Sequence, residues 1–467
     1  MGFPKGFGKL RVTARNAALR TLLLTDAGMP VQAALDMALG AAPHAPAGQV
    51  GSAAFGTALA ARDRHLCAEL AYGCLRAEIR IDYVLGRVLP RPGGLPRPLR
   101  HILALGVYGL LLQDRTPPHA VLHEAVEQAR TLYGPRLAGL TNGALRSVQR
   151  LGEAPRHEDF YRQGAADPLG ALALFCAAPD WLARLWARAY GEADAALLLR
   201  RSCGRPWSGL RVNARRPEGA ALLTALRALP GAAAVGDWGV ALGPGELPES
   251  VMDRPLAHWQ AQGALSFQSA GSQRVLAALD LYALEGPVWD MCAGYGGKTA
   301  ALLERGVAVG LCTDSSFGRL RALPGHCARL GLHLPSVCLP PVCLPPVCLA
   351  DAARPPLARW PGSVLLDAPC SGLGVLARRP DIRRRGPERL AALTALQGRL
   401  LERAAALLEP GRCLAYITCT LNPDENEGVV AGLLRQHPDL RLEQRWQTPH
   451  DHPWLEGMFG ALLRRRA

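Results

Sequence analysis

The sequence predicts an α/β protein: a Rossmann-like, doubly wound and mostly parallel sheet domain, preceded by an all-α helical domain and a small α+β linker domain. Three observations carry this. From Leu265 onward strand and helix signals alternate, as parallel crossover connections require. From residue 10 to about 150 apolar residues recur at helical spacing. Two short polar strings each follow an apolar, β-prone run, and the carboxyl ends of strands are where open α/β sheets bind ligands.

At 467 residues and 49.8 kDa the chain is too long for one compact core. The expected division is a helical domain over 1–150, a small α+β domain over 151–262 and a catalytic domain over 263–467. In the first part the helical periodicity runs through Ala17–Leu24, Leu70–Leu85, Ile102–Leu112 and Ala120–Ala129. Breakers separate these runs: Pro43 and Pro46, then Pro90-Arg91-Pro92-Gly93-Gly94, then Pro117-Pro118. Residues 151–168 read as a linker, and the stretch from Pro179 to about Pro248 mixes a helix with short strands such as Leu210-Arg211-Val212-Asn213.

The first strand of the last domain, Pro287-Val288-Trp289-Asp290, runs into Met291-Cys292-Ala293-Gly294-Tyr295-Gly296-Gly297-Lys298-Thr299 and then an apolar helix. Glycines at a strand-to-helix turn let a ligand approach the backbone, and the helix N-terminus offers unpaired N–H groups. A nucleotide-like ligand fits. A phosphate-binding P-loop needs glycine where Cys292 stands, which weakens that alternative. The next strand ends on Asp314, placed to accept hydrogen bonds from ribose hydroxyls, although a lone acid there is also an ordinary helix cap.

Between Leu334 and Leu349 a five-residue unit, Pro-Pro-Val-Cys-Leu with Pro-Ser in its first copy, occurs three times before Asp351. Prolines every five residues cannot pass through a sheet centre. The extra copies therefore read as a duplication looped out at a sheet end, since the spacing of Cys338, Cys343 and Cys348 matches no common metal pattern.

The two polar strings are Asp367-Ala368-Pro369-Cys370, after Ser363–Leu366, and Thr418-Cys419 with Asn422-Pro423-Asp424-Glu425-Asn426-Glu427, after Cys413–Ile417. Free cysteines are usually small buried hydrophobes, a reading that suits Cys67, Cys74, Cys176 and Cys203. It suits Cys370 and Cys419 poorly, because acids and turn-formers surround them. The thirteen cysteines include no C-x-x-C, so neither a metal site nor a disulfide framework is expected. No apolar run approaches membrane-spanning length, and a soluble, cytoplasmic protein with a monomer as default is expected.

The formal charge is +14, and only Lys5, Lys9 and Lys298 among 53 basic residues are lysine. Such an excess of arginine favours polyanionic partners, although the same composition also follows from GC-rich coding. Arg378, Arg379, Arg383, Arg384 and Arg385 are placed to meet RNA phosphates, or else form a solvated charged face.

In order, these strings resemble the RNA 5-methylcytosine methyltransferases of the Nol/Nop/Sun family, whose glycine loop reads D-x-C-A-A-P-G-G-K-T and whose later motifs read D-A-P-C-S-G and T-C-S…P-E-E-N-E. Gln268…Ser272-Gln273 resembles the family's upstream Q-x-x-x-S-Q string. Leu70–Arg76, Pro118-His119-Ala120 and Asn142–Arg146 look like a NusB-type RNA-binding domain, a combination similar to family members that modify one cytosine of 16S rRNA. The resemblance implies S-adenosylmethionine as methyl donor, Cys419 as nucleophile and Cys370 as the cysteine that helps release product. It implies a cofactor pocket of Cys292, Ala293, Gly294, Tyr295, Gly296, Gly297 and Lys298, with Asp314 on the ribose, Asp351 near the adenine and Asp367 near the methionine end or the target base.

Gly294-Tyr295 stands where the family has Ala-Pro, Thr420 where it has Ser and Asp424 where it has Glu. A DNA cytosine methyltransferase would move the nucleophile to Cys370. A non-catalytic RNA-binding or ribosome-assembly factor is the reading from another class.

Overall fold

The computed structural model describes residues 6–40, 59–113, 116–334, 337–339, 342–344 and 346–467. Pro43 and Pro46 lie outside them, as do the side chains of Cys338 and Cys343. The chain forms two compact units, residues 1–204 with Arg379–Arg385, and Arg205–Arg378 with Gly386–Ala467.

The first unit is helical. Helices Ala14–Asp26, Ala61–Arg76, Glu78–Val88, Arg97–Leu111, Pro118–Tyr133 and Pro135–Arg150 present their apolar stripes to one shared core. The periodic run through Leu70–Leu85 is two helices that part at Ala77. Thr13 caps the first helix by accepting from the Asn16 N–H at 3.2 Å, and Pro118 opens its helix, where its missing N–H costs nothing. Helix Ala61–Arg76 lies so close to its neighbour that a Cβ on Gly73 would fall 2.2 Å from the Tyr108 ring. Residues 154–203 continue as short 3₁₀ turns and the helices Pro168–Phe175, Asp180–Tyr190 and Glu192–Cys203.

The second unit begins with a four-stranded antiparallel sheet in the order Ala233–Val235, Gly239–Leu242, Ser208–Val212, Leu265–Phe267. A seven-stranded sheet follows, built from β1 (Val288–Asp290), β2 (Val309–Asp314), β3 (Val347–Leu349), β4 (Ser363–Asp367), β5 (Cys413–Thr418), β6 (Leu440–Gln447) and β7 (Phe459–Arg465). Their order is β3-β2-β1-β4-β5-β7-β6, with β7 antiparallel to both β5 and β6 and the other pairs parallel. Side chains alternate between two cores: Val288, Leu365, Ala415 and Ile417 face one, while Trp289, Val364, Leu366, Leu414 and Tyr416 face the other. Burial on both faces is what a doubly wound sheet requires, so the predicted fold class holds.

Strand order reverses between β1 and β4, which opens a crevice at their carboxyl ends. The third copy of the repeat, Val347–Leu349, is the edge strand β3, whereas the first two, Val337–Leu339 and Val342–Leu344, pair among the described residues only with each other. The duplication is thus looped out at a sheet end, as expected.

Candidate active site

The loops after β4 and β5 bring the two cysteine strings together. Cys370 Sγ and Cys419 Sγ are 3.2 Å apart as free thiols, and the Cys419 N–H donates to Cys370 Sγ at 3.3 Å. The Cys370 hydrogen bond holds the Cys419 thiol below the ordinary value despite its burial; the Asp367 carboxylate opposes the shift and the Lys298 ammonium assists it. Cys370 is pushed up by that same bond and then by burial.

Lys298, at the end of the glycine loop, bonds Asp367 Oδ2 at 2.5 Å. Burial alone would lower its pKa; the Asp367 carboxylate more than offsets that, so the ammonium stays charged. In the loop itself the Ala293, Gly294 and Gly296 N–H groups donate within the protein, to the Thr313 carbonyl, Asp314 and the Ala293 carbonyl. Gly294 (φ 57°) and Gly296 (φ 82°) occupy the left-handed region, and a Cβ on Gly296 would meet Leu323 at 2.9 Å. Gly296 leads into helix Gly297–Glu304. The Gly294 N–H donates to Asp314 Oδ2 at 2.9 Å, while Asp314 Oδ1 accepts from the Ser316 N–H at 2.7 Å and Arg319 at 2.9 Å.

The structure brings Cys370 onto Cys419 and Lys298 onto Asp367, and joins Gly294 to Asp314. Cys292 is half-buried and Ala293 buried, its N–H bonded to the Thr313 carbonyl at 2.9 Å. Gly297 accepts at its carbonyl from Gln268 and Arg211. Tyr295 is 65% exposed. Asp351, just past β3, is exposed and its Oδ1 accepts from its own turn at Ala353.

Three residues with work to do here went unassigned in the sequence. Glu425 is fully buried and binds both cysteine loops: its carboxylate accepts from Ser371 N–H (2.8 Å) and Oγ (2.5 Å) on one side, Asn422 Nδ2 (3.1 Å) on the other, and Gln397 (2.9 Å) behind. Its place in the Pro423–Glu427 string was the only signal. Asp290, at the end of β1, is buried with Oδ2 bonded to Thr299 at 2.6 Å and Oδ1 without a partner among the described residues; burial pushes its pKa up to about 7. Arg211, buried and paired with Glu304 at 2.7 Å, ties the four-stranded sheet to Gln268 and to the glycine loop.

The arginines after Cys370 are not a free phosphate-facing set. Arg378 donates to Glu456 and the Trp207 carbonyl; Arg379 and Arg385 face Asp381; Arg384 pairs with Asp26 and Glu78; and Arg383 is buried among backbone carbonyls. Helix ends and acidic side chains supplied acceptors that a local reading of the basic run misses.

The donor set suits a cationic nucleotide cofactor. Asp290, Asp314 and Asp367 all press on Cys292, whose thiol is held far above its ordinary value by burial and then by those carboxylates. Asp367 and Asp314 are already paired with Lys298 and Arg319, which leaves the buried Asp290 Oδ1 as the acceptor open to a cationic group. The sheet order, the switch-point crevice and this glycine loop define an S-adenosylmethionine-dependent methyltransferase.

Residues 278–457 match the 16S rRNA methyltransferase RsmB/F family and residues 13–150 the NusB family. The chain is 31% identical over 399 residues to the probable ribosomal RNA small subunit methyltransferase B of Bacillus subtilis, covering 83% of this chain and 84% of that one. It is 33% identical over 437 residues to ribosomal RNA small subunit methyltransferase B of Thermus thermophilus, covering 92% and 89%. Among solved structures, that of PH0851 superimposes over 98% of this chain and 99% of its own at TM-score 0.70 and 21% identity. A methyltransferase homologue from Pyrococcus horikoshii covers 64% of this chain and 99% of its own at TM-score 0.52 and 22% identity; at such identities these show the fold. This chain belongs to the RsmB/F methyltransferase family, with a NusB-type domain at its N-terminal side.

Proposed function

We propose that this chain methylates C5 of a cytosine in 16S rRNA, with Cys419 as covalent nucleophile and Cys370 assisting product release. The single observation that carries the reading is the pair of free thiols 3.2 Å apart, one of them lowered beside the Lys298–Asp367 ion pair. Cytosine C5 is a poor nucleophile until a group adds to C6, and a thiolate adds readily and leaves again. Cys419 forms the bond to C6. Asp367 accepts from the amino and protonated N3 edge of the ring. Cys370 acts as, or beside, the base that takes the C5 proton before Cys419 departs.

When bound, S-adenosylmethionine supplies an electrophilic methyl group. Cys292, Ala293, Gly294, Tyr295, Gly296, Gly297, Lys298, Asp314, Asp351 and Asp367 would hold it, and Asp290 joins them on the strength of its unpaired oxygen. The target base must be unpaired or flipped for a thiol to reach its face. The NusB-type helices (residues 1–150) and the small domain (151–262) serve RNA binding, residues 263–467 catalysis, and the enzyme acts in the cytoplasm as a monomer.

Transfer of label from S-adenosylmethionine to deproteinised 16S rRNA tests this. Wild type is expected to transfer methyl groups to cytosine C5, Cys419→Ala to lose all transfer, and Cys370→Ala to accumulate a covalent RNA adduct. Transfer that survives in Cys419→Ala overturns the assignment.

A further inference from the structure

A cavity of about 330 Å³ opens within the second unit, between the four-stranded sheet and the helices that flank the start of the seven-stranded one. Arg211 on strand Ser208–Val212 and the turn Gly236–Gly239 line one part of it, helix Ala270–Ala278 and Tyr282 another, and Glu304 with Arg305 a third. Cys370, Cys419, Lys298 and Asp367 are not among its lining residues, so it is separate from the thiol pair. Its volume falls at the lower end of the range for small-ligand sites.

Part of the lining is internally satisfied. Arg211 and Glu304 are buried and paired at 2.7 Å, and Arg211 is held further by Gln268 and the Gly297 carbonyl. Three other groups are open to a ligand. Arg274 is exposed and has no ion pair or hydrogen bond among the described residues, in contrast to the arginines after Cys370. The Arg305 guanidinium lies over the Tyr282 ring, 5.2 Å from its centroid, and its partner Asp237, at 2.9 Å, is 79% exposed. Water screens such a pair, and a ligand displaces it at little cost. Gln273 is 5% exposed; its amide nitrogen donates to the Gln268 carbonyl at 3.0 Å, while its Oε1 accepts from no donor among the described residues. That oxygen lies against Gly239, where a Cβ would fall 2.1 Å from it, so glycine keeps this part of the cavity open.

A free cation, a guanidinium backed by an aromatic ring and a buried acceptor are the groups that hold a phosphate, a base and an amino or hydroxyl donor. We propose that this cavity takes one unpaired nucleotide of the RNA substrate at a point away from the target cytosine; this rests on the RNA methyltransferase reading above and names a second contact for the same substrate. Arg274 meets the phosphate, the base stacks on Arg305, and Gln273 Oε1 accepts from the base or the ribose. Asp280, also in the lining, accepts from a ribose hydroxyl, and its charge directs the phosphate to Arg274.

The test measures binding of deproteinised 16S rRNA to the full chain over a salt series. Arg274→Gln should weaken binding about tenfold, as loss of a charged hydrogen bond does, and flatten the log–log salt slope by about 0.7. Ala277→Trp, which fills the cavity from an exposed helix position, should weaken binding comparably. Both variants should keep the wild-type thermal shift with S-adenosylmethionine, which shows that the fold and the cofactor site are intact. Short-wave ultraviolet irradiation of wild type with the rRNA should leave a cross-linked nucleotide on a peptide containing Trp238 or Tyr282, a result that needs no variant. Wild-type affinity and salt slope in both variants overturn the cavity assignment alone; failure of the wild-type chain to bind 16S rRNA overturns the RNA reading with it. Cross-linking of these peptides to free adenosine 5′-monophosphate and not to rRNA makes this a small-nucleotide site and overturns the RNA assignment.

Discussion

Glu425 offers two oxygens to donors from three different elements, and none of them has water as an alternative. Glu425→Ala would strand the Ser371 N–H, Asn422 and Gln397 together, at about 1–3 kcal/mol for each unsatisfied donor. A loss of about 3 kcal/mol in urea unfolding is expected, with a fall in methyl transfer because the Cys370 and Cys419 loops are no longer tied. Wild-type stability in this variant would show that the loops hold without it. Lys298 acts on the same pair by charge. Since Cys419 is held below its ordinary value, its alkylation by iodoacetamide should rise with pH through a midpoint lower than that of a free thiol. Lys298→Met removes a stabilising cation and leaves the Asp367 carboxylate unpaired; both changes disfavour the thiolate, so the midpoint should move to higher pH. An unchanged midpoint would mean that the Cys370 hydrogen bond alone sets it.

At the scale of elements, the glycine loop and the repeat lead to opposite expectations. Gly296→Ala places a Cβ at φ 82° and 2.9 Å from Leu323, so a loss of about 2 kcal/mol and weakened cofactor binding are expected in thermal shift with and without S-adenosylmethionine. Deleting ten residues of the repeat, so that one Val-Cys-Leu copy remains before Asp351, keeps β3 and only shortens a connection. Loop closure depends weakly on length, so stability should change by less than about 1 kcal/mol, and urea unfolding measures it. The strands were legible because Val288-Trp289-Asp290, Ser363–Asp367 and Cys413–Thr418 are short apolar runs ending in polar turns. Their meeting was legible too, since strand ends converge in such sheets. What sequence could not supply was the third dimension of polar pairing: that Glu425 reaches back across 54 positions to Ser371, or that Arg211 is consumed by Glu304. Those partners are set by how the sheet and helices stack, and no local pattern encodes them.

For the molecule as a whole, the +14 charge is a guide to partner class and a poor guide to which arginines meet that partner. The run from Arg378 to Arg385 shows why. Five arginines in eight positions look like a phosphate comb, yet Arg384 faces Asp26 and Glu78, and Arg383 fills a pocket of carbonyls at helix ends. The two readings separate by experiment. If Arg383 met RNA, Arg383→Met would weaken binding to 16S rRNA and flatten the dependence of affinity on salt, by about 0.7 in the log–log slope for a single-stranded contact. Because it is buried, Arg383→Met should leave that slope unchanged. It should instead destabilise the protein by about 2–4 kcal/mol, since several backbone carbonyls lose their donors at once. A flattened salt slope with intact stability would return this arginine to the RNA interface; the opposite pair of results makes it a structural anchor of the helical unit, and leaves the RNA-facing charge to be found among arginines without such internal partners.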